Sequence, residues 1–428
     1  MLIKVQRGLD LRLGGEPAAV VERGADVRSV ALCAPDYMSL RPAIVVAEGD
    51  RVVVGQRLLY DKSTPDVSFT APGTGRVRAI NRGGKRKLLS IVIDIDDDAT
   101  RVETDFPTHD PVDTADTEAI KRTLLESGLW VALRGRPYGA VADPKTAPRA
   151  IFVNAMQTDP LGADPTLVLE PHARDFEHGV AYLSALCTQT LVCKSPSLEF
   201  DHTRIGHARV VDFLGPHPAG LSGTHIHALA AVGEQPDLWY VGYQDVVAIG
   251  RLLATGVLDL GRVIAIGGPC AKRPRLVETR IGASLDDLLV DELRFDESEA
   301  DVRIVSGSPL SGRAVGAQTA YLGRYDTQVA LLRERASRHA RAGGGSTGLN
   351  GWPSGMLSLE TFERAWPFDV PPIPLLRALL AHDVDTAHAL GCLGFEEEDL
   401  ALCSYSCPAK YDYGKALRAT LETLRSEQ

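Results

Sequence analysis

No stretch of about 18 uncharged apolar residues occurs anywhere in these 428 residues. The nearest approach, Val246 to Gly268, is broken by Arg251, Asp259 and Arg262. No membrane-spanning helix is therefore expected, and any membrane contact is expected to run through partners. An excess of basic charge is missing too. The formal net charge is −10, which argues against nucleic-acid binding by phosphate neutralisation. A disulfide framework is also missing. The seven cysteines (33, 187, 193, 270, 392, 403 and 407) are scattered and odd in number, which points to a reducing compartment. Met1 to Gly8 lacks the apolar segment of a signal peptide, so none is expected. There is no G-x-x-x-x-G-K-S/T phosphate loop, no G-x-S-x-G nucleophile turn and no H-E-x-x-H zinc helix.

What is present has ordinary soluble composition, 44% hydrophobic and 24% charged, with room for about three domains. Residues 31–100 are rich in valine and isoleucine and are punctuated by Gly49-Asp50, Gly55-Gln56, Pro72-Gly73 and Gly83-Gly84. Dense turn signals between short strands predict a small β sandwich or barrel. Residues 101–255 alternate helical and strand patterns, which predicts an α/β layer with a largely parallel sheet. Its strands include Ile151–Val153, Leu191–Cys193 and Ala208–Phe213. Its helices include one capped by Thr117, one carrying Phe176, Val180, Leu183 and Cys187, and one from Asp245 to Ala254. Residues 256–340 read as a compact mixed α+β unit. A flexible tract at Gly343–Gly348 leads to a helical region from about Leu375, within 341–428. Residues 1–30 form an N-terminal segment.

Four places carry candidate chemistry. Cys403, Cys407 and Pro408 match the end of the ferredoxin run C-x2-C-x2-C-x3-C-P, but the earlier cysteine positions hold Glu397 and Leu400. Neither supplies a thiolate, so the run is a degenerate iron–sulfur remnant. Cys392 joins that pair either in a thiol cluster or as a small buried core residue. Lys62, within a segment resembling lipoyl and biotinyl carrier domains, is either a modifiable swinging lysine or a solvated turn lysine. The loop Leu133–Val141 offers Gly135 and Gly139 to a flavin or dinucleotide phosphate, with bulky residues and a proline between them. The run His217 to His227 places His225 and His227 two apart. On a strand both would share a face and invite zinc, whereas the loop's place after a strand suits an uncharged aromatic headgroup or a partner surface.

Several segments together resemble the NqrA family of Na+-translocating NADH:quinone oxidoreductases. They are Gly8-Leu9-Asp10-Leu11, Arg41-Pro42, Ile80-Asn81-Arg82-Gly83, Ser127-Gly128-Leu129-Trp130, Arg136-Pro137, His217 to His227, Tyr243-Gln244-Asp245-Val246, Gly282-Ala283-Ser284-Leu285 and the cysteine tail. The resemblance spans nearly the whole chain. It implies a multidomain α+β fold. The parts are a barrel-sandwich (lipoyl/biotinyl-like) domain, a Rossmann-like α/β domain, an SLBB β-grasp domain and a helical C-terminal domain. The family is related to the Rnf C subunit and to the flavoprotein of complex I, which carry FMN and a four-iron cluster. The departures above imply no redox cofactor on this chain. The resemblance further implies a six-subunit complex on the cytoplasmic face of the bacterial inner membrane, with FAD, FMN, riboflavin and an iron–sulfur cluster on other subunits. Ubiquinone is its substrate, and sodium is driven outward. Loop position places His217 and His225 near quinone. Two further readings stand beside this one: a flavin/iron–sulfur NADH dehydrogenase component, and a carrier modified at Lys62.

Overall fold

Alternation of apolar and polar residues makes strands of the first third of the chain. Ser29–Cys33, Leu88–Ile95, Gly75–Arg82 and Arg51–Val52 hydrogen-bond in that order into one antiparallel sheet. Pro42–Ile44, Arg57–Asp61 and Ser68–Thr70 form a second. Val30, Leu32, Leu58, Phe69, Val77 and Ile91 are buried in the core of this sandwich. The structure is a computed structural model. It describes residues 1–96, 105–111, 116–230, 237–294, 302–333 and 360–427. The glycine tract at 343–348 lies outside the described residues.

The α/β unit is built on a seven-stranded sheet. Its order is Leu2–Lys4, Arg209–Leu214, Thr190–Lys194, Ala150–Ala155, Leu238–Gly242, Arg134–Arg136 and Ala140–Val141. The first five strands run parallel, and the last two form an antiparallel hairpin. The period of two divides its faces. Ile151 and Val153 pack toward the helices Ala173–Leu186 and Tyr243–Thr255, while Ala150 and Phe152 pack toward the helix Ser222–Leu229. The helix Thr117–Ser127 is capped by Asp116, whose side chain accepts from Ala119, not by Thr117 as the sequence predicts. The helix predicted over Asp245 to Ala254 is found as Tyr243–Thr255, ended by a left-handed Gly256.

The third unit is a six-stranded sheet ordered Arg313–Ala314, Val302–Ser306, Gln328–Arg333, Gly261–Gly267, Arg275–Arg280 and Ala18–Arg23. The N-terminal segment thus joins two sheets. Leu2–Lys4 extends the α/β sheet beside Arg209–Leu214, and Ala18–Arg23 extends this one beside Arg275–Arg280. Helices from Glu360–Ala365 to Tyr413–Glu427 enclose a separate core around Trp366, Phe395, Leu400 and Tyr413. They begin earlier than the predicted Leu375. Among the described residues, no helix is long and apolar enough to cross a membrane.

Candidate functional site

Strand order reverses direction at Ala150–Ala155. The next two parallel strands in sequence lie on one side of it, and Leu238–Gly242 lies on the other. In open α/β sheets the crevice beyond the carboxyl ends at such a point is where ligands bind. Here it opens into a cleft of about 370 Å³. Gln157 and Asp159, just past Ala150–Ala155, line one wall. Asp36 of the sandwich, Asp326 of the six-stranded unit, and Glu398 and Arg418 of the helical unit contribute the others.

Arg134 and Arg136, two apart on one strand, project from the same face. The Arg134 guanidinium lies between two rings, 4.5 Å from the centroid of Tyr240 and 4.3 Å from that of Tyr325. Such stacking favours a cation in a desolvated site. Tyr325 fixes itself by donating its hydroxyl to the Val131 carbonyl at 2.8 Å. Burial alone would lower the pKa of Arg136, but Glu396 and Asp399 raise it. Its Nε is 3.1 Å from Glu396 Oε1, and its Nη2 donates to Asp399 Oδ2 at 3.3 Å. Tyr240 donates its hydroxyl to Glu396 at 2.7 Å. These carboxylates come from one acidic turn. In it the Glu396 amide donates to Asp399 Oδ2 at 2.8 Å, and the Asp399 amide donates to the Glu396 carbonyl at 3.1 Å.

Two glycines make room for that turn. Gly139 is left-handed at φ +66°, and a Cβ there would stand 2.9 Å from Glu396 Oε1. Gly223, in the first turn of Ser222–Leu229, would place a Cβ 2.0 Å from Asp399 Oδ1. The loop Leu133–Val141 is thus a hairpin packed on carboxylates. It is not a glycine turn leading into a helix, because Arg134–Arg136 continues the sheet and pairs back with Ala140–Val141.

Three carboxylates of the cleft, Asp36, Asp326 and Glu398, are shifted upward. Burial, then the Asp326 charge, pushes Asp36 up to about 7 against the pull of Arg313. Burial likewise raises Asp326, and it raises Glu398 with help from Glu396 and Asp399. Next to the cleft, Asp245 is pulled the other way. Its burial is outweighed by Arg262 and Arg324, which hold its carboxyl below the usual range. Arg324 Nη1 donates to Asp245 Oδ1 at 2.9 Å, and its backbone amide donates to Asp36 Oδ2 at 2.9 Å. That one residue therefore ties three units together.

His217 and His225 come to rest beside the switch-point loop, not inside the cleft. His217 is 1% exposed, and its Nδ1 is 3.2 Å from Thr158 Oγ1. Asp10 accepts from its backbone amide at 2.9 Å, and the Leu9 amide donates to its carbonyl at 2.7 Å. The Gly8–Asp10 motif thus cradles the His217 loop. His225 is fully buried. Its Nε2 is 2.9 Å from the Ala219 carbonyl, its ring packs on Phe213, and burial lowers it to about 4. His225 and His227 lie on a helix, not a strand, so a spacing of two sends them apart. His227 faces the helical unit, where its Nε2 accepts from the Asp369 amide at 2.9 Å and its ring contacts Phe368. The zinc arrangement drawn from a shared strand face is therefore not formed.

Cys392, Cys403 and Cys407 meet in the core of the helical unit. Burial pushes Cys392 up to about 11 and Cys403 to about 12, so both are protonated thiols at neutral pH. Tyr413 donates its hydroxyl to Cys407 Sγ at 3.4 Å. Of the positions where earlier cysteines would stand, Glu397 pairs with Arg418, its Oε2 2.6 Å from Nη2, and Leu400 is fully buried. Among the described residues, no group of three or more His, Cys, Asp or Glu could hold a metal ion. Lys62 is exposed where the strand Arg57–Asp61 ends, its amide donating to the Arg41 carbonyl at 2.9 Å.

Sequence reasoning missed the arginines of the hairpin, Tyr240 and Tyr325. It judged Leu133–Val141 by its glycines and residues 396–399 by absent cysteines. The usable signal was charge: two arginines on one strand face, and four consecutive acids.

Comparison with known proteins agrees with this architecture. A model of the NqrA N-terminal barrel-sandwich hybrid domain matches residues 3–96. The NqrA second alpha/beta domain matches 115–258, and the NQRA C-terminal domain matches 263–317. The Na(+)-translocating NADH-quinone reductase A subunit of Pseudomonas aeruginosa (strain UCBPP-PA14) is 42% identical, with 100% of each chain covered. The Neisseria meningitidis serogroup C protein of the same name is 41% identical, again over 100% of each chain. Among solved structures, NAD+-reducing NiFe hydrogenase in the H2-reduced state aligns at 13% identity with a TM-score of 0.42, covering 74% of this chain and 62% of that one. By full-length identity to these relatives and by the three domain matches, the chain belongs to NqrA, the family of Na(+)-translocating NADH-quinone reductase A subunits.

Proposed function

We propose that this chain works as the NqrA component of a sodium-pumping NADH:ubiquinone oxidoreductase and carries no redox group of its own. One observation carries the reading. Relatives bearing the NqrA function in their names align at 41–42% identity along their entire length. Two features support the cofactor-free part. The hairpin that would take a flavin phosphate is packed by Glu396 and Asp399, and both remnant cysteines are buried in an aromatic core, with the Cys403 thiol pushed up by burial.

In this reading the chain is a peripheral component on the cytoplasmic face of the inner membrane, within a six-subunit complex. FAD, FMN, riboflavin and the iron–sulfur cluster reside on its partners, and ubiquinone reduction is coupled to sodium export. Quinone proximity is assigned to the loop of His217 and His225. Both histidines shape that loop through Thr158 and Ala219, so they act as positioning residues. Replacing both with alanine raises the KM for quinone in the assembled complex. An unchanged KM for quinone rejects the assignment.

The central test is reconstitution. A complex assembled without this chain loses NADH-driven quinone reduction and sodium transport, and adding the purified, colourless, iron-free chain restores both. Full activity without it overturns the reading. The dehydrogenase and carrier alternatives are not favoured. An unmodified intact mass would remove the Lys62 carrier altogether.

A further inference from the structure

Buried ion pairs are costly to desolvate, and well-packed apolar residues are often equally stable. This chain nevertheless brings Glu396 and Asp399 into contact with Arg136, and Glu396 with the Tyr240 hydroxyl. Side-chain exposure is 0% for Arg136 and Asp399 and 6% for Glu396. Among the described residues Asp399 Oδ1 has no hydrogen-bond partner, although Asp399 is 3% exposed. That oxygen sits against Gly223, in the first turn of the eight-residue helix Ser222–Leu229. A helix N-terminus attracts negative charge through its unpaired amides and its dipole. The helix stands beyond the carboxyl end of a parallel strand, Arg209–Leu214. Guanidinium, tyrosine hydroxyl, helix start and a glycine that admits a close oxygen are the ordinary parts of a phosphate or carboxylate receptor. All of them converge on side chains of the same polypeptide.

We infer that Arg136, Tyr240 and the start of the helix Ser222–Leu229 form an anion-recognition site for a phosphoryl group, which Glu396 and Asp399 occupy as built-in ligands. The acidic turn supplies the two negative groups, and it holds the helical unit against the α/β unit as it does so. The site becomes available to an outside anion when the turn is neutralised or withdrawn. This inference does not depend on the proposed role in quinone reduction.

The test uses the full chain and two double variants, Glu396→Ala/Asp399→Ala and the isosteric Glu396→Gln/Asp399→Asn. Inorganic phosphate and phenyl phosphate are titrated calorimetrically into each. The alanine variant gains phosphate affinity of at least ~10-fold over the natural chain, the scale of one charge-assisted contact recovered. The gain disappears when Arg136→Gln is added. If the alanine variant does not fold, the isosteric variant decides, because it keeps the volume of the turn and removes only its charge. Binding of phenyl phosphate in addition identifies a monoester as the class admitted, while phosphate alone identifies the free anion. The inference is overturned if no folded variant gains phosphate binding. It is also overturned if the gain survives Arg136→Gln, or if the natural chain binds as tightly.

Discussion

Replacing Asp245 with asparagine isolates the electrostatic joint between the α/β and six-stranded units. Asp245 occupies the third position of the helix Tyr243–Thr255, where the helix dipole already favours a negative charge. It faces two guanidiniums, Arg262 and Arg324, and the three side chains are 8%, 4% and 5% exposed. An asparagine keeps the shape and one acceptor but takes from two buried guanidiniums the carboxylate they share. Removing one partner of a buried ion pair costs about 3–5 kcal/mol, a large part of the roughly 5–15 kcal/mol that holds a typical domain folded. For units of this size that corresponds to a fall in Tm of about 10 °C. Differential scanning calorimetry measures the fall, and hydrogen exchange of the strand Gly261–Gly267 reports it locally. The acid side gives an internal check. Because the folded carboxyl lies below its ordinary value, its contribution is present above pH ~4 and is lost as pH falls through the folded pKa. The variant lacks that component of the acid transition. A loss below about 1 kcal/mol, the range of an exposed pair, would refute the reasoning. So would a failure of Arg324→Gln to recover part of the loss in the asparagine background.

Asp36 titrates in the opposite sense: with its folded pKa raised to about 7, it subtracts stability as pH climbs from ~4 to about 7. Asp36→Asn removes that decline, so its Tm rises relative to the natural chain at pH 8; identical profiles from pH 4 to 8 would reject the shift. Gly250→Ala destabilises by about 1–3 kcal/mol through overpacking, because its Cβ would stand 1.8 Å from the Asp175 carbonyl across the two packed helices; urea unfolding measures it, and a neutral result would contradict the close helix contact. Cys392 and Cys403, buried and pushed up to about 11 and about 12, resist iodoacetamide at pH 8 in the folded chain and react in denaturant; rapid native labelling in a peptide map would show the core to be open.

Elements with strong local signals were legible in the sequence. The strands at Ile151–Val153 and Leu191–Cys193 are short apolar runs, and the helix ending at Gly256 carries both an apolar period and a left-handed stop. The segment from His217 to His227 misled because a spacing of two reads as a shared face only if the backbone is extended. The order Gly-Leu-Ser-Gly instead starts a helix at Ser222. The candidate site was legible only in parts. Arg136 meets Glu396 and Asp399 across more than 250 residues of sequence, and no local pattern encodes such a pairing. The cysteine spacing drew attention to the right turn, but its meaning lay in the acids just ahead of the thiols.

The opening residues of the chain have a consequence for biosynthesis. Leu2–Lys4 can hydrogen-bond only after Arg209–Leu214 has emerged from the ribosome, and Ala18–Arg23 only after Arg275–Arg280. These two strands are therefore placed long after they are made, waiting for their partners while the sandwich that follows them forms. Until they dock, Arg209–Leu214 and Arg275–Arg280 stand as the outermost strands of their sheets, with unpaired backbone groups that invite foreign strands. A nascent chain stalled between those points carries those pairing groups exposed.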